Sequence, residues 1–246
     1  MRAVFDLDGT ICFAGKPLSK QVVRVLEAAE ANGHELIFAS ARPIRDLLPV
    51  LPAVFQHHAL VGGNGAFVAA GGRIISTIHF DPGVAEAIMA LLHKYGVPYM
   101  ADGEWDYAYT GHPDHPLRRK VDPKGRATCV PIGKLAAELV KVAVLDDSDR
   151  LAGELEKLPV VIHKHGSEGI IDISPEGVDK WAGLQKLGVT PNSYIAFGND
   201  ANDIAMFRHA RHSVCVGNYN ELAQMAAEQV HGDEASVIQK IAELVG

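Results

Sequence analysis

Five short apolar runs, each closed by a polar residue, constrain this chain more than any other feature. Val4-Phe5 leads into Asp6, Leu36-Ile37-Phe38-Ala39 into Ser40, and Ala59-Leu60-Val61 into Gly62-Gly63-Asn64. Tyr194-Ile195-Ala196-Phe197 leads into Gly198-Asn199-Asp200, and Ser213-Val214-Cys215-Val216 into Gly217-Asn218. Uninterrupted apolar strands are those covered on both faces, which calls for helices on either side of a parallel sheet. Amphipathic stretches between the runs supply them. Ser19 is placed to cap a helix carrying Val22, Val23, Leu26 and Ala29 on one face, with Gly33 to end it. Asp81-Pro82 opens a second helix that runs to Gly96, and later helical patterns cover 179–187, 202–209, 220–231 and 236–245. The predicted fold class is α/β, a Rossmann-like doubly wound parallel sheet.

The middle of the chain breaks that rhythm. Strand-like segments at 97–101, 105–110, 128–131, 140–145, 160–163 and 170–173 mix with helical patterns, and 111–126 reads as a loop. We therefore expect a core made of residues 1–80 and 176–246, interrupted by an inserted α+β domain at 81–175. The chain has 246 residues, enough for one large or two modest domains. A net charge of −7 disfavours general binding to nucleic acid or anionic membranes, both of which want a positive field. No apolar run approaches the ~20 residues that span a bilayer, and the first residues lack a signal-peptide core, so a cytoplasmic protein is expected. The three Cys residues are scattered and suggest neither a disulfide framework nor a metal knuckle.

Ligand crevices of open α/β sheets lie at the carboxyl ends of the strands, which is where the polar closures fall. Asp6-Leu7-Asp8-Gly9-Thr10 carries the sharpest chemistry. Two carboxylates two residues apart repel one another unless a cation joins them, so the pair reads as a hard-metal site, with a turn-capping loop as the alternative. Gly9 allows the bend that would gather both side chains and a backbone carbonyl.

Asp-Leu-Asp-Gly-Thr after an N-terminal strand resembles the first motif of the haloacid dehalogenase superfamily. Three further segments resemble its other motifs in order: Phe38-Ala39-Ser40-Ala41-Arg42, Gly177-Val178-Asp179-Lys180 and Gly198-Asn199-Asp200-Ala201-Asn202-Asp203. The insertion resembles the large C2-type cap of the Cof-like branch, and Gly63-Asn64-Gly65-Ala66 is similar to a sequence that branch carries after its third strand. The resemblance implies a magnesium-dependent phosphatase acting on a small phosphorylated metabolite, a sugar or polyol phosphate. In it, Asp6 would be the nucleophile that becomes an aspartyl-phosphate, and Asp8 the acid and base. Ser40, the amide of Ala41, Lys180 and Asn202 would hold phosphate. Mg2+ would be held by Asp6, Asp8 (through its carbonyl), Asn199 and Asp203, the last at the metal or just behind it.

One position departs from the family pattern, which has Asp where this chain has Asn199. Either Asn199 takes the ligand's place or the loop shifts so that Asp200 does. Trp105, Tyr107, Tyr109, His112 and His115 are candidates to line a substrate pocket, or else to pack a small sheet. Arg118-Arg119-Lys120 is a basic run that either attracts an anionic substrate or, the favoured reading, forms a solvated loop. A phosphomannomutase-like phosphotransferase and a degenerate phosphate-binding protein are the alternative functions, and the oligomeric state stays open.

Overall fold

The computed structural model describes residues 1–146, 149–165 and 169–246, and these divide into two compact units, residues 1–76 with 179–246 and residues 77–178. In chain order the strands are β1 (Arg2–Asp6), β2 (Glu35–Ala39), β3 (Ala59–Gly62), β4 (Phe67–Ala70), β5 (Arg73–Thr77), β6 (Tyr99–Asp102) and β7 (Tyr107–Tyr109). They continue with β8 (Lys141–Val144), β9 (Val160–His165), β10 (Ile170–Pro175), β11 (Tyr194–Gly198), β12 (His212–Val216) and β13 (Glu228–Val230).

In the discontinuous unit the strands form one sheet in the order β13-β12-β11-β1-β2-β3-β4-β5. From β13 to β3 every pairing is parallel, while β4 runs antiparallel to β3. The chain leaves β1 toward β2 and β3 and later returns on its other side through β11. The strand order therefore reverses at β1, the kind of point at which doubly wound sheets open a crevice. The two faces are built by alternation along each strand. Val4, Ile37, Ala39 and Ala196 pack under Trp181, Leu184, Met206 and Phe207. On the opposite face Phe5 stacks on Phe197 and leans against Phe38, with ring centroids 4.9 and 6.3 Å away. Each buried ring contributes roughly 1.5–3 kcal/mol through water exclusion.

The helix at Lys20–Ala31 begins where expected, with Ser19 Oγ accepting from the Val22 amide at 3.2 Å. Three strands at or next to the edges of the sheet, β4, β5 and β13, were not expected. Gly71 and Gly72, both at positive φ, make the turn between β4 and β5. The helix predicted over 220–231 stops at Met225, because Ala226 turns extended and Glu228–Val230 pairs with Val214–Val216 as β13.

The inserted unit is a five-stranded sheet in the order β7-β6-β8-β10-β9, with antiparallel pairings. Helices Pro82–Tyr95 and Asp149–Leu155 cover one face, packing Ile88, Leu92, Leu151 and Leu155 onto Ala101, Val142, Val144, Ile171 and Ile173. Asp81 caps the first helix and Gly96, at φ 63°, ends it. On the other face Met100, Tyr107, Ala143 and Ile170 lie under Leu117 and Val121. The strand expected at 128–131 is reduced to a bridge between Tyr107 and Cys129, and the expected loop holds a short helix, Pro116–Lys120.

Candidate active site

The carboxyl ends of β1, β2, β3 and β11 lie side by side and bring the scattered polar closures together. Asp6 pairs in register with Ala39, so Ser40 stands one residue beyond it, and Phe5 pairs with Phe197, two residues before Asn199. After Asp6 the chain folds into a tight turn. The amides of Thr10, Ile11 and Cys12 all donate to the Leu7 carbonyl at 3.1, 3.0 and 2.7 Å. Leu7 is buried beneath this turn. Gly9 sits at φ 83°, and a Cβ there would lie 2.2 Å from Asn199 Nδ2, so both backbone shape and space require glycine.

Asp6 is buried, and its two oxygens face different partners. Lys180 Nζ donates to Oδ1 at 2.6 Å, and Thr10 Oγ1 donates to Oδ2 at 2.8 Å. Lys180 is wholly buried and also donates to Asp203 Oδ1 at 2.6 Å. Asp203 is engaged on its other side as well, where Oδ2 accepts from the amides of Asn199 and Asp200 at 2.8 and 3.1 Å. These contacts place Asp203 behind Lys180 and the 199–200 backbone.

Burial pushes the Asp6 carboxyl up to about 7; the Lys180 charge pulls it down, and Asp203 and Asp8 add to the rise. Burial works against the charge of Lys180, but Asp203 and Asp6 outweigh it and raise the ammonium above its ordinary value. The rise at Lys180 keeps its ammonium charged. Cys12, close by, is not a competing nucleophile, since burial and then Asp8 push its thiol up to about 12.

The two motif carboxylates do not share one partner. Arg42 donates to both oxygens of Asp8, from Nε at 2.7 Å and from a terminal nitrogen at 2.6 Å. Thus the side chain of Asp8 belongs to a guanidinium, and its carbonyl remains on the Asp6 side. It is Asn199, not Asp200, whose amide reaches that place. One amide end of Asn199 stands beside Thr10 Oγ1, Asp6 Oδ2 and the Asp8 carbonyl; were it Nδ2, it would donate to them at 3.2, 3.0 and 3.1 Å. Asp200 instead caps the following turn, accepting from the Ala201 amide at 2.7 Å.

Ser40 is buried; its Oγ accepts from the Arg42 amide at 3.1 Å, and its carbonyl accepts from the Asn64 amide at 3.0 Å. Asn202 Nδ2 donates to Asn64 Oδ1 at 3.0 Å. Ala41 lies between Ser40 and Arg42, half-buried. Three residues outside the proposed catalytic, phosphate and metal set, Thr10, Arg42 and Asn64, therefore belong to this constellation. Their signal was adjacency to a motif, which does not show where a side chain turns.

In the inserted unit the expected aromatic residues are mostly structural. Tyr107 is buried in a cluster, Arg118 lies 5.7 Å from the ring centroids of both Tyr107 and Tyr109, and Trp105 donates to the Arg126 carbonyl at 2.8 Å. His112 is largely exposed, and His115 caps the short helix by accepting from the Leu117 amide at 3.2 Å. Asp102, Lys141, Asp172 and Ser174 are buried on the sheet face away from helices Pro82–Tyr95 and Asp149–Leu155, with Lys141 and Asp172 paired at 2.7 Å. No helix among the described residues is long and apolar enough to cross a membrane.

Comparison with known proteins identifies the family. An HMP-PP phosphatase of Cronobacter sakazakii is 27% identical over 92% of this chain and 87% of its own length. The 5-amino-6-(5-phospho-D-ribitylamino)uracil phosphatase YitU of Bacillus subtilis is 26% identical over 87% and 85%. Among solved structures, the subclass IIB sugar phosphatase BT4131 superposes with a TM-score of 0.79 at 19% identity, covering 98% of each chain. The family model described as haloacid dehalogenase-like hydrolase matches residues 3–239. With nearly its whole length matched in this way, the chain belongs to the haloacid dehalogenase-like hydrolases, and within them it is a phosphatase.

Proposed function

We propose that this phosphatase is magnesium-dependent, hydrolyses a small sugar or polyol phosphate, and works through an aspartyl-phosphate on Asp6. The observation that carries the proposal is the corner formed by Asp6 Oδ2, the Asp8 carbonyl and the Asn199 amide. Octahedral Mg2+ takes oxygens at roughly 2.0–2.1 Å, which sets neighbouring ligand oxygens about 3 Å apart. The amide end of Asn199 lies 3.0 and 3.1 Å from the other two oxygens, and those neighbours are acceptors. With its oxygen turned inward, Asn199 completes a three-oxygen face that suits a hard cation. Asp203 would serve that cation indirectly, by fixing Lys180 and the backbone that carries Asn199. When bound, Mg2+ supplies charge to offset a phosphate dianion facing an anionic nucleophile.

The chain's own groups account for the remaining chemistry. An Asp6 oxygen attacks phosphorus, the ester P–O bond breaks, and Asp8 gives its proton to the leaving alkoxide. Water then loses a proton to Asp8 and attacks the same phosphorus, freeing Asp6 and inorganic phosphate. Arg42 holds Asp8 beside the site, so each proton transfer requires one of its two contacts to open. Lys180, the Ser40 hydroxyl, the Ala41 amide and Asn202 would balance the charge on the phosphoryl oxygens. The phosphorylated ribityl chain in the name of the Bacillus subtilis relative is of the polyol class.

The test is phosphate release from p-nitrophenyl phosphate and a panel of sugar and polyol phosphates, with Mg2+ titrated. Release should require Mg2+ and stop with EDTA. Asn199→Asp, which adds a formal charge to the oxygen face, should lower the half-activating Mg2+ concentration about tenfold. Absence of Mg2+-dependent release across the panel would sink the reading, and transfer to a second sugar without free phosphate would replace hydrolysis with phosphotransfer.

A second prediction concerns pH. The native value of Asp6 lies above its ordinary 3.8, near 7, so the folded chain keeps a proton that the unfolded chain has lost. That contribution to stability is present at acid pH and is lost as pH rises through about 7. Mg2+ requires the ionised carboxylate, so the rise in Tm caused by Mg2+ should grow between about pH 5 and pH 8. Equal Mg2+-induced shifts at both ends would contradict this.

A further inference from the structure

The turn at Gly63–Gly65 touches three of the segments assigned above to phosphate, and its central residue has a polar atom left over. Asn64 is 1% exposed and sits at φ 58°, ψ 22°, a left-handed conformation that Asn tolerates better than other side-chain-bearing residues. Its amide donates to the Ser40 carbonyl at 3.0 Å, and its Oδ1 accepts from Asn202 Nδ2 at 3.0 Å. The next residue, Gly65, is pressed onto the segment that starts with Lys180, since a Cβ there would lie 2.0 Å from the Asp179 carbonyl oxygen. Asn64 Nδ2 is buried with no hydrogen-bond partner among the described residues. Buried polar groups are nearly always paired, so an orphaned donor in this position calls for an acceptor.

We propose that Asn64 is a positioning residue of the phosphate site: its Oδ1 sets the Asn202 amide, and its Nδ2 gains an acceptor when an anion occupies the site. This rests on the phosphatase reading of Ser40, Asn202 and Lys180. A left-handed φ explains why Asn or Gly occupies position 64, but it does not explain an amide with one end on Asn202 and the other unpaired. Holding Asn202 from the side also removes rotamer freedom that binding would otherwise have to remove.

Two substitutions separate the side chain from the backbone. Asn64→Gly keeps the left-handed turn, so the chain should stay folded, with a Tm lowered by no more than the lost hydrogen bond to Asn202 accounts for. Asn64→Asp tolerates the same φ and keeps an acceptor for Asn202, but it replaces the free donor with a carboxylate oxygen. Binding of inorganic phosphate in the presence of Mg2+, measured by calorimetry, should weaken about tenfold or more in Asn64→Gly. It should weaken further in Asn64→Asp, and KM for p-nitrophenyl phosphate should rise by a larger factor than kcat falls in both variants. Wild-type phosphate affinity in either variant, alongside normal wild-type turnover, would overturn this inference alone. Failure of the wild type itself to bind phosphate would overturn it together with the reading on which it rests.

Discussion

Replacing Asp6 with Asn should lower phosphate release by about 10⁴-fold or more while leaving the chain folded. The amide has the shape of the carboxylate and keeps an oxygen for Lys180, which donates to Asp6 Oδ1 at 2.6 Å. What it loses is the negative oxygen that attacks phosphorus, and no neighbouring group can substitute. Cys12 is held as a thiol, and the Asp8 carboxylate is clamped by Arg42. Stability should change little, because burial already disfavours the charged form of Asp6. Phosphate release and a thermal melt on the same preparation decide the matter. Retention of more than a few per cent of activity in a folded Asn variant would remove Asp6 from the nucleophile's role.

Lys180→Met should produce the largest loss of stability. Lys180 has no exposed surface and stands between two buried carboxylates, at 2.6 Å from an oxygen of Asp6 and 2.6 Å from one of Asp203. Methionine fills nearly the same space but leaves those carboxylates facing each other without a counter-charge. Breaking a buried ion pair from one side costs about 3–5 kcal/mol, and denaturant unfolding would read that loss at pH 8. The sign with pH is fixed by the carboxylates. Without Lys180 they favour the protonated form, so the variant should recover stability as pH falls and lose it as pH rises. A variant equally destabilised at pH 5 and pH 8 would show that packing, not charge, accounts for the role of Lys180. Activity should fall as well, since the same ammonium would balance the transferring phosphoryl group.

Much of the fold was legible because backbone physics writes itself into local patterns. The apolar runs at 36–39 and 194–197 are strands buried on both faces, and Ser19, Asp81 and Gly96 start or stop helices where capping chemistry requires. The edges were less legible. β13 is a three-residue strand with a half-exposed pattern, and nothing local distinguishes Glu228–Val230 from the end of a helix until Val214–Val216 is beside it. The short helix at Pro116–Lys120 is likewise too brief for periodicity to reveal.

The site divides along the same line. The order of four motifs resembling those of the haloacid dehalogenase superfamily sufficed to propose Asp6, Asp8, Ser40, Lys180, Asn199 and Asn202 as its members, and their types suit phosphate chemistry, which needs carboxylates, a cation and small donors. A strand's carboxyl end also predicts that such groups meet. The chain could not show how the partners divide among themselves. Asp8 turns to Arg42 rather than to the cation of its neighbour, Asp203 stands behind Lys180, and Asp200 caps a turn while Asn199 reaches Asp6. Those choices depend on side-chain rotation and on contacts between residues far apart in the chain, such as Lys180 with Asp6, 174 positions away. Order along the chain is a one-dimensional record of which groups are present, whereas hydrogen bonds and ion pairs are decided over about 3 Å, and only the folded sheet brings distant strand ends within that range.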